Sequence, residues 1–329
     1  MSYSLDVKNE LAHNEPAKKC CMLAEIAGFL RAAGSLKLHI GDEFSGKYSI
    51  IASTENPAIA RHYYKLIKTY FGSNATSGVG SSAIPGKAHE KSHRYYLTIS
   101  PDQKSMQILR ECGMMLIKEG DDYLTDGIYS QIVRTKCCKK SYIRGVFLGC
   151  GSVSDPKKGY HLEFVLGSEQ LANDLKKLIG SFVDLSANVT VRKEDYIVYM
   201  KRANYISDLL GIMGADAAML EFENVRVGKS VRHETQRILN CDSANVDRTL
   251  TASEEQQQWI KTLKDAGVYD NLPAPLKSVA ELRLLRPEAS LTEIGEALNP
   301  PIRKPGVSKR FAKLKELAAA VEEESADEE

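Results

Sequence analysis

The sequence predicts an α+β protein made of two pseudo-symmetric halves followed by an all-α domain. Three observations carry that expectation. A helix-forming segment occurs twice. The strand-like and helix-like runs after it recur in the same order. From Glu254 onward the apolar spacing is helical only.

The repeated segment reads KCCMLAEIAGFLRAAGS at residues 19–35 and KCCKKSYIRGVFLGCGS at 136–152, an offset of 136 − 19 = 117. Seven of 17 positions are identical without a gap, where ordinary composition gives about one by chance. Small residues recur four apart, at Ala24, Gly28 and Ala32 in the first copy and at Ser141, Gly145 and Gly149 in the second. That spacing puts them on one helix face and lets two backbones approach closely. Gly34 and Gly151 are expected to end the two helices as left-handed caps.

Downstream of the first copy come a strand-like run at Tyr48–Ala52 and a helix-like run from Pro57 to Tyr70. A second strand follows at Tyr95–Ile99, then a helix near Gln103–Cys112. The second copy leads to Tyr160–Leu166, a helix-like run from Ser168 to Phe182, strands at Asn188–Arg192 and Tyr196–Met200, and a helix at Ala203–Ile212. Alternation of period two is clear in His161–Leu166 and Asn188–Arg192. Each half is thus a helix–strands–helix–strands–helix unit. The expected domains are 1–226, with halves of about 1–118 and 119–226, a linker at 227–249, a helical domain at 250–321 and an acidic disordered tail at 322–329.

In the helical domain, Ser290-Leu-Thr-Glu293 reads as a capping box for a helix that stops at Asn299-Pro300-Pro301. A last helix is expected from Val307, with Val307, Phe311, Leu314 and Leu317 as its apolar stripe. Six basic residues, Arg303, Lys304, Lys309, Arg310, Lys313 and Lys315, fall between 303 and 315 with no acid among them. Two short helices, a Pro/Gly turn and a basic last helix read as a helix-turn-helix. Ser308, Lys309 and Arg310 are expected in its first turn, within reach of base edges, and the other cations on phosphates. Arg192, Lys193, Lys201 and Arg202 lie on or beside strands of the second half, a weaker signal for nucleic acid.

Net charge is only +1, so bulk charge does not decide the class. The N-terminus shows no basic and apolar leader, and charges interrupt the apolar runs, as Asp216 does between Leu209 and Leu220. Seven cysteines include two adjacent pairs, Cys20-Cys21 and Cys137-Cys138, at matching places of the repeat and without CxxC spacing. Their matching places would allow the pairs to bind a metal jointly, but they read as small buried apolar residues rather than ligands. No metal and no cofactor are expected. His89-Glu-Lys-Ser-His93 matches a zinc-protease string, but the segment from Gly72 to Ser92 reads as a loop, where the two imidazoles would not share a helix face. Gly80–Ala88 resembles a phosphate loop with one residue too many and no Ser or Thr at its end.

The nine-residue stretches Ile26–Gly34 and Ile143–Gly151 resemble the LAGLIDADG helix of homing endonucleases. The resemblance implies halves joined at those helices, sheets forming a saddle over DNA, and an acid at the eighth position that binds the metals of cleavage. The eighth positions here are Ala33 and Cys150, and the sixth are Arg31 and Leu148. None of them offers a hard oxygen ligand, so cleavage by a metal pair is not expected. Asp155 reads as a turn residue before Pro156 rather than a substitute acid.

The chain to about Val321 also resembles the WhiA family of bacterial sporulation and cell-division regulators. The match is carried by the two repeat helices, by Val225-Arg-Val and Arg237–Asn245, and by Ser290–Ile302 followed by Gly306-Val307. The resemblance implies a sequence-specific, DNA-binding transcription regulator of sporulation, cell division and chromosome organisation, cytoplasmic and on the nucleoid, without nuclease activity. Duplex DNA is the implied partner. Another regulator, of the WhiB type in actinobacteria, or RNA polymerase is the implied protein partner. The family pattern Ser-Lys-Ser-Gly-Val-Asn-His-Arg is replaced by Arg303-Lys-Pro-Gly-Val-Ser-Lys-Arg310, which puts the target sequence in doubt. The alternatives are a metal-dependent endonuclease and a nucleoid-associated scaffold that docks proteins.

Overall fold

The computed structural model describes residues 2–83, 91–118 and 120–327. It divides into two compact units, Met1–Lys229 and Ser230–Glu329.

The first unit repeats one motif. In the first half α2 (Lys19–Ala33) runs straight into β1 (Gly34–Leu38). Then follow β2 (Tyr48–Thr54), α3 (Pro57–Phe71), β3 (Thr76–Ala83), β4 (Lys91–Ile99) and α4 (Ser105–Glu111). In the second half the same order is α5 (Lys136–Cys150), β7 (Gly151–Val153), β8 (Leu162–Leu166), α6 (Glu169–Ile179), β9 (Asn188–Arg192), β10 (Asp195–Met200) and α7 (Ala203–Met213). Both sheets are antiparallel with equivalent strand order, β1-β2-β4-β3 and β7-β8-β10-β9. The duplication expected from the repeat is therefore a duplication of topology.

Local chemistry explains the boundaries. Asn56 caps α3 through the amide of Ala58, Pro57 occupies the first turn, and Gly72 closes the helix at φ 64°. Ser168 caps α6 through the amide of Leu171. In β8 the residues Leu162, Phe164 and Leu166 point into the core, and the intervening ones are half-buried.

Several expectations are corrected. Gly34 and Gly151 are extended, at φ −91° and −75°, not left-handed. A turn is not needed, because each helix continues directly as a strand. A Cβ at Gly34 would lie 2.3 Å from the Leu30 carbonyl oxygen, and one at Gly151 2.3 Å from the Phe147 ring. Close approach, not backbone handedness, explains these glycines. The Gly/Ser-rich stretch read as a loop contains β3, an edge strand held by β4, where Gly80 lies against the Tyr96 ring. Main-chain pairing outweighs composition there. The helix α1 (Tyr3–His13) and a hairpin of β5 (Met115–Lys118) and β6 (Asp121–Leu124) between the halves carried no clear sequence signal. Residues Ile84–Glu90, which contain most of the phosphate-loop look-alike and the start of the zinc-protease string, lie outside the described residues. Lys91, Ser92 and His93 begin β4, a strand rather than the helix a zinc protease needs.

The stretch expected as a linker is helical, within α8 (Asp216–Asp265), and its Val227, Val231, Ile238, Leu239 and Val246 are exposed. The second unit continues with α9 (Ala274–Leu285), α10 (Leu291–Ala297) and α11 (Lys304–Asp327) around a core of Ile260, Leu263, Val279, Ile294, Val307, Phe311 and Leu314. The start of α11 is Lys304, not Val307, because Pro305 is favourable in a first helical turn. The acidic tail continues that helix to Asp327 rather than starting a disordered segment at 322.

Candidate functional site

The seam between the two halves is the packing of α2 on α5. Gly28 faces the main chain of α5, where a Cβ would sit 2.3 Å from the Tyr142 carbonyl oxygen. Gly145 faces α2 in the same way, 2.2 Å from the carbonyl oxygen of Glu25. These are equivalent positions of the repeat, since 145 − 28 = 117 and 142 − 25 = 117. At the far end a Cβ on Gly149 would meet the Cβ of Ala32 at 2.8 Å and that of Ala33 at 3.3 Å. The small-residue faces read from spacing therefore pack on one another, as side chains at i and i+4 require.

The end of the seam where a LAGLIDADG nuclease carries its acids opens into a cleft of about 800 Å³. Ala33, Cys150, Lys8, Ser53, Glu55 and Arg94 are among its lining residues. Among the described lining residues the one acid, Glu55, is exposed and paired with Arg94 at 3.1 Å. Burial pushes the Cys150 thiol up to about 12, and burial lowers the Lys8 ammonium below its usual range. A neutral thiol, a methyl group and a lysine side chain offer no hard oxygen ligand to a divalent ion. Asp155 is not at this cleft and accepts a hydrogen bond from the amide of Lys157, 2.8 Å away, as a turn residue. Of the sixth positions, Leu148 is buried. Arg31 donates to the carbonyls of Gly113 and Thr125 and to the Thr125 hydroxyl, which ties α2 to the connection between the halves.

Sequence reasoning missed a charged group in the middle of the seam. Glu25 is fully buried on α2. His62 Nε2 of α3 lies 2.8 Å from one carboxylate oxygen, and Arg144 Nε of α5 lies 3.3 Å from the other. Arg144 also donates to the Asn14 carbonyl at 2.9 Å, and Phe29 stacks on Tyr63 with ring centroids 3.6 Å apart. A buried charge is tolerated only when paired, so these residues fix the register of three helices. The available signal was the presence of Glu25 and Arg144 inside otherwise apolar helices.

The two cysteine pairs sit at the opposite, N-terminal end of the same seam. They are the second and third residues of α2 and α5. Cys21 and Cys138 are buried, whereas Cys20 is exposed and Cys137 half-buried. The reading as buried apolar residues is thus corrected for two of the four. All four Sγ atoms lie within 4.8 Å of one another.

In the second unit, the capping box at Ser290 and Glu293 forms as expected, and Leu298 ends α10. Gly295 permits the next turn to close over it. A Cβ there would lie 2.2 Å from the Ile302 carbonyl oxygen, and the Ile302 amide donates to the Gly295 carbonyl at 2.9 Å. Val307, Phe311, Leu314 and Ala318 form the buried stripe of α11, with Leu317 partly buried. Its remaining surface exposes Lys304, Ser308, Lys309, Lys313 and Lys315, with exposed Arg303 just ahead of the helix. With α11 beginning at Lys304, residues 308–310 fall in its second turn rather than its first. Arg310 is half-buried and donates to the Pro275 carbonyl at 3.3 Å, so it also ties α11 to the start of α9. Lys313 pairs with Glu316 at 2.8 Å, and Lys315 lies over the Trp259 ring.

Arg283, also missed, is buried at the centre of this unit. It donates to Gln256 and to the carbonyls of Pro287 and Ala289, and stacks its guanidinium on Phe311. Its signal was the spacing of Leu276, Val279, Ala280 and Arg283, which places it on the buried face of α9. Three of the four strand-end cations of the first unit are engaged locally. Arg192 lies 3.5 Å from Glu163, Lys201 stacks on Tyr199 and Arg202 stacks on Tyr205.

The geometry defines a class: a LAGLIDADG-like double half whose catalytic positions hold no acid, together with a helix-turn-helix unit. Comparison with known proteins agrees. Residues 19–115 match the WhiA N-terminal LAGLIDADG-like domain, 139–232 the WhiA LAGLIDADG-like domain and 235–318 the WhiA C-terminal HTH domain. The chain is 42% identical over 318 residues to the probable cell division protein WhiA of Alkaliphilus metalliredigens, covering 97% of this chain and 98% of that one. It is 40% identical over 324 residues to the protein of the same description from Thermoanaerobacter pseudethanolicus, covering 98% and 99%. The crystal structure of full-length DUF199/WhiA from Thermatoga maritima superposes with a TM-score of 0.58 at 22% identity, covering 97% and 99%. The chain belongs to the WhiA family.

Proposed function

We propose that this chain is a sequence-specific, DNA-binding transcription regulator of bacterial cell division, extending to sporulation and chromosome organisation, and that it does not cut DNA. The observation that carries the reading is α11. One of its faces is buried in the helix-turn-helix core, and its remaining surface exposes Lys304, Ser308, Lys309, Lys313 and Lys315, with exposed Arg303 just ahead of the helix. Such a face supplies phosphate neutralisation and, near its N-terminal end, hydrogen-bonding groups for base edges. The relatives' description as probable cell division proteins supports the biological setting. The absence of cleavage rests on Ala33 and Cys150, which leave the seam without a carboxylate pair.

In this reading the protein works on the nucleoid, in the cytoplasm. Among the described residues no helix is long and apolar enough to cross a membrane. Selection of duplexes from a random pool by the full-length chain tests the assignment. A recovered consensus is expected, with no nicking of plasmid in magnesium or manganese. A pool without consensus, or cleavage abolished by a chelator, contradicts it.

A further inference from the structure

We propose that Cys20, Cys21, Cys137 and Cys138 form a tetrathiolate zinc site that clamps the two halves of the first unit together at the N-terminal ends of α2 and α5. Four Sγ atoms from two helices lie within 4.8 Å of one another. A tetrahedral zinc with Zn–S bonds of about 2.3 Å sets its sulfurs about 3.8 Å apart, so the cluster needs to contract by an ångström or less. Polynuclear iron–sulfur clusters hold their thiolates farther apart than this group allows.

The surroundings suit a doubly negative metal–thiolate centre. The cysteines belong to the first turns of both helices, where the helix dipole places partial positive charge; the Cys21 amide is held by the Lys18 carbonyl at 2.9 Å and the Cys138 amide by the Thr135 hydroxyl at 3.4 Å. No side chain caps α2, whose N-cap residue is Lys18. Thr135 places its hydroxyl 2.9 Å from Cys138 Sγ and 3.2 Å from Cys137 Sγ, which orients two of the four ligands. Packing alone does not explain the group, since Cys20 is exposed and Cys137 half-buried. A cleft lined by Lys18, Cys21, Cys137, Lys140 and Ser141 gives an ion a path to the thiols.

The site stands apart from the degenerate catalytic end. The helices have 15 residues each, so Ala33 and Cys150 lie about 20 Å away. Binding displaces the remaining thiol protons to solvent and leaves zinc coordinated by four thiolates, with no change of oxidation state. Because the ligands come equally from both copies of the repeat, the metal closes the pseudo-symmetric pair as a single structural centre. Its free energy of binding adds to the stability of the α2–α5 seam.

The test uses the full-length chain, produced without a metal-binding tag and purified under reducing conditions. About one zinc per chain is expected by elemental analysis, with an X-ray absorption shell of four sulfurs at about 2.3 Å. Cobalt(II) added as the chloride to chelator-stripped chain should give the visible bands of a tetrahedral thiolate complex. The Cys20→Ser/Cys137→Ser variant changes the two more accessible ligands and should lose the zinc while its circular dichroism stays native. A metal-free chain that takes up neither zinc nor cobalt, with all seven thiols reactive, overturns the proposal. So do a mass showing Cys–Cys disulfides in the reduced preparation and a full zinc complement in the double variant.

Discussion

The α2–α5 seam and the α11 helix use charge in opposite ways. The seam keeps its charged residues inside: Glu25 is fully buried between His62 and Arg144 and touches no solvent. Among the described side chains of α11 the buried ones are apolar, and Lys304, Lys309, Lys313 and Lys315 are exposed. A buried ion pair specifies which helices meet and at what register, and it is unavailable to a ligand. An exposed basic face contributes little to folding and much to the attraction of a polyanion. The difference accords with the proposed function, in which the LAGLIDADG-like pair serves packing and recognition belongs to the helix-turn-helix.

That contrast can be broken first at Glu25. Replacing it with Ala leaves Arg144 buried without its carboxylate and is expected to cost about 3–5 kcal/mol. The loss should be visible in the circular dichroism of the whole chain. It should leave unchanged the unfolding reported by Trp259, the single tryptophan, which packs against the second unit's core. Next in size is Gly145→Ala, whose Cβ would lie 2.2 Å from the Glu25 carbonyl oxygen, with an expected cost of roughly 1–3 kcal/mol. Gly167→Ala, where a Cβ meets nothing within 4 Å, is its control and should change urea unfolding by less than about 0.5 kcal/mol.

On the other side of the comparison, Lys309→Ala should weaken duplex binding by roughly 1–3 kcal/mol if its ammonium reads a base, and leave Trp259-detected stability unaltered. Arg310→Ala should weaken both, because the same guanidinium holds the Pro275 carbonyl. Fluorescence anisotropy together with urea titration separates the two variants. The smallest effect is expected for Ser290→Ala, which removes half of a capping box and costs about 1 kcal/mol in the Trp259 transition alone.

Much of this was legible in the residues. The duplicated segment with glycines at Gly28 and Gly145 gave away the seam, because close backbone approach leaves a mark in sequence as four-residue spacing. The apolar stripe of α11 and the capping box at Ser290 were local patterns and therefore readable. What stayed hidden depended on partners far along the chain. Glu25, His62 and Arg144 come from three helices, and no spacing links them. The β3 edge strand is held by β4, although its glycines and serines favour a loop. Gly34 and Gly151 suggested a left-handed turn because glycine serves two purposes, conformational freedom and lack of bulk, and a sequence does not say which. The four cysteines were visible as two pairs at matching places of the repeat, which left joint binding open, and the crossing of α2 and α5 brings their sulfurs together.

The central claim is that recognition has moved to α11. The most direct measurement is the salt dependence of duplex binding by the full-length chain and by its Lys304→Ala/Lys309→Ala variant. The account predicts weaker binding by the variant, with the slope of log affinity against log salt shallower by about 0.9 for each phosphate that the variant no longer neutralises. Equal affinity and equal slope for the two proteins would contradict it.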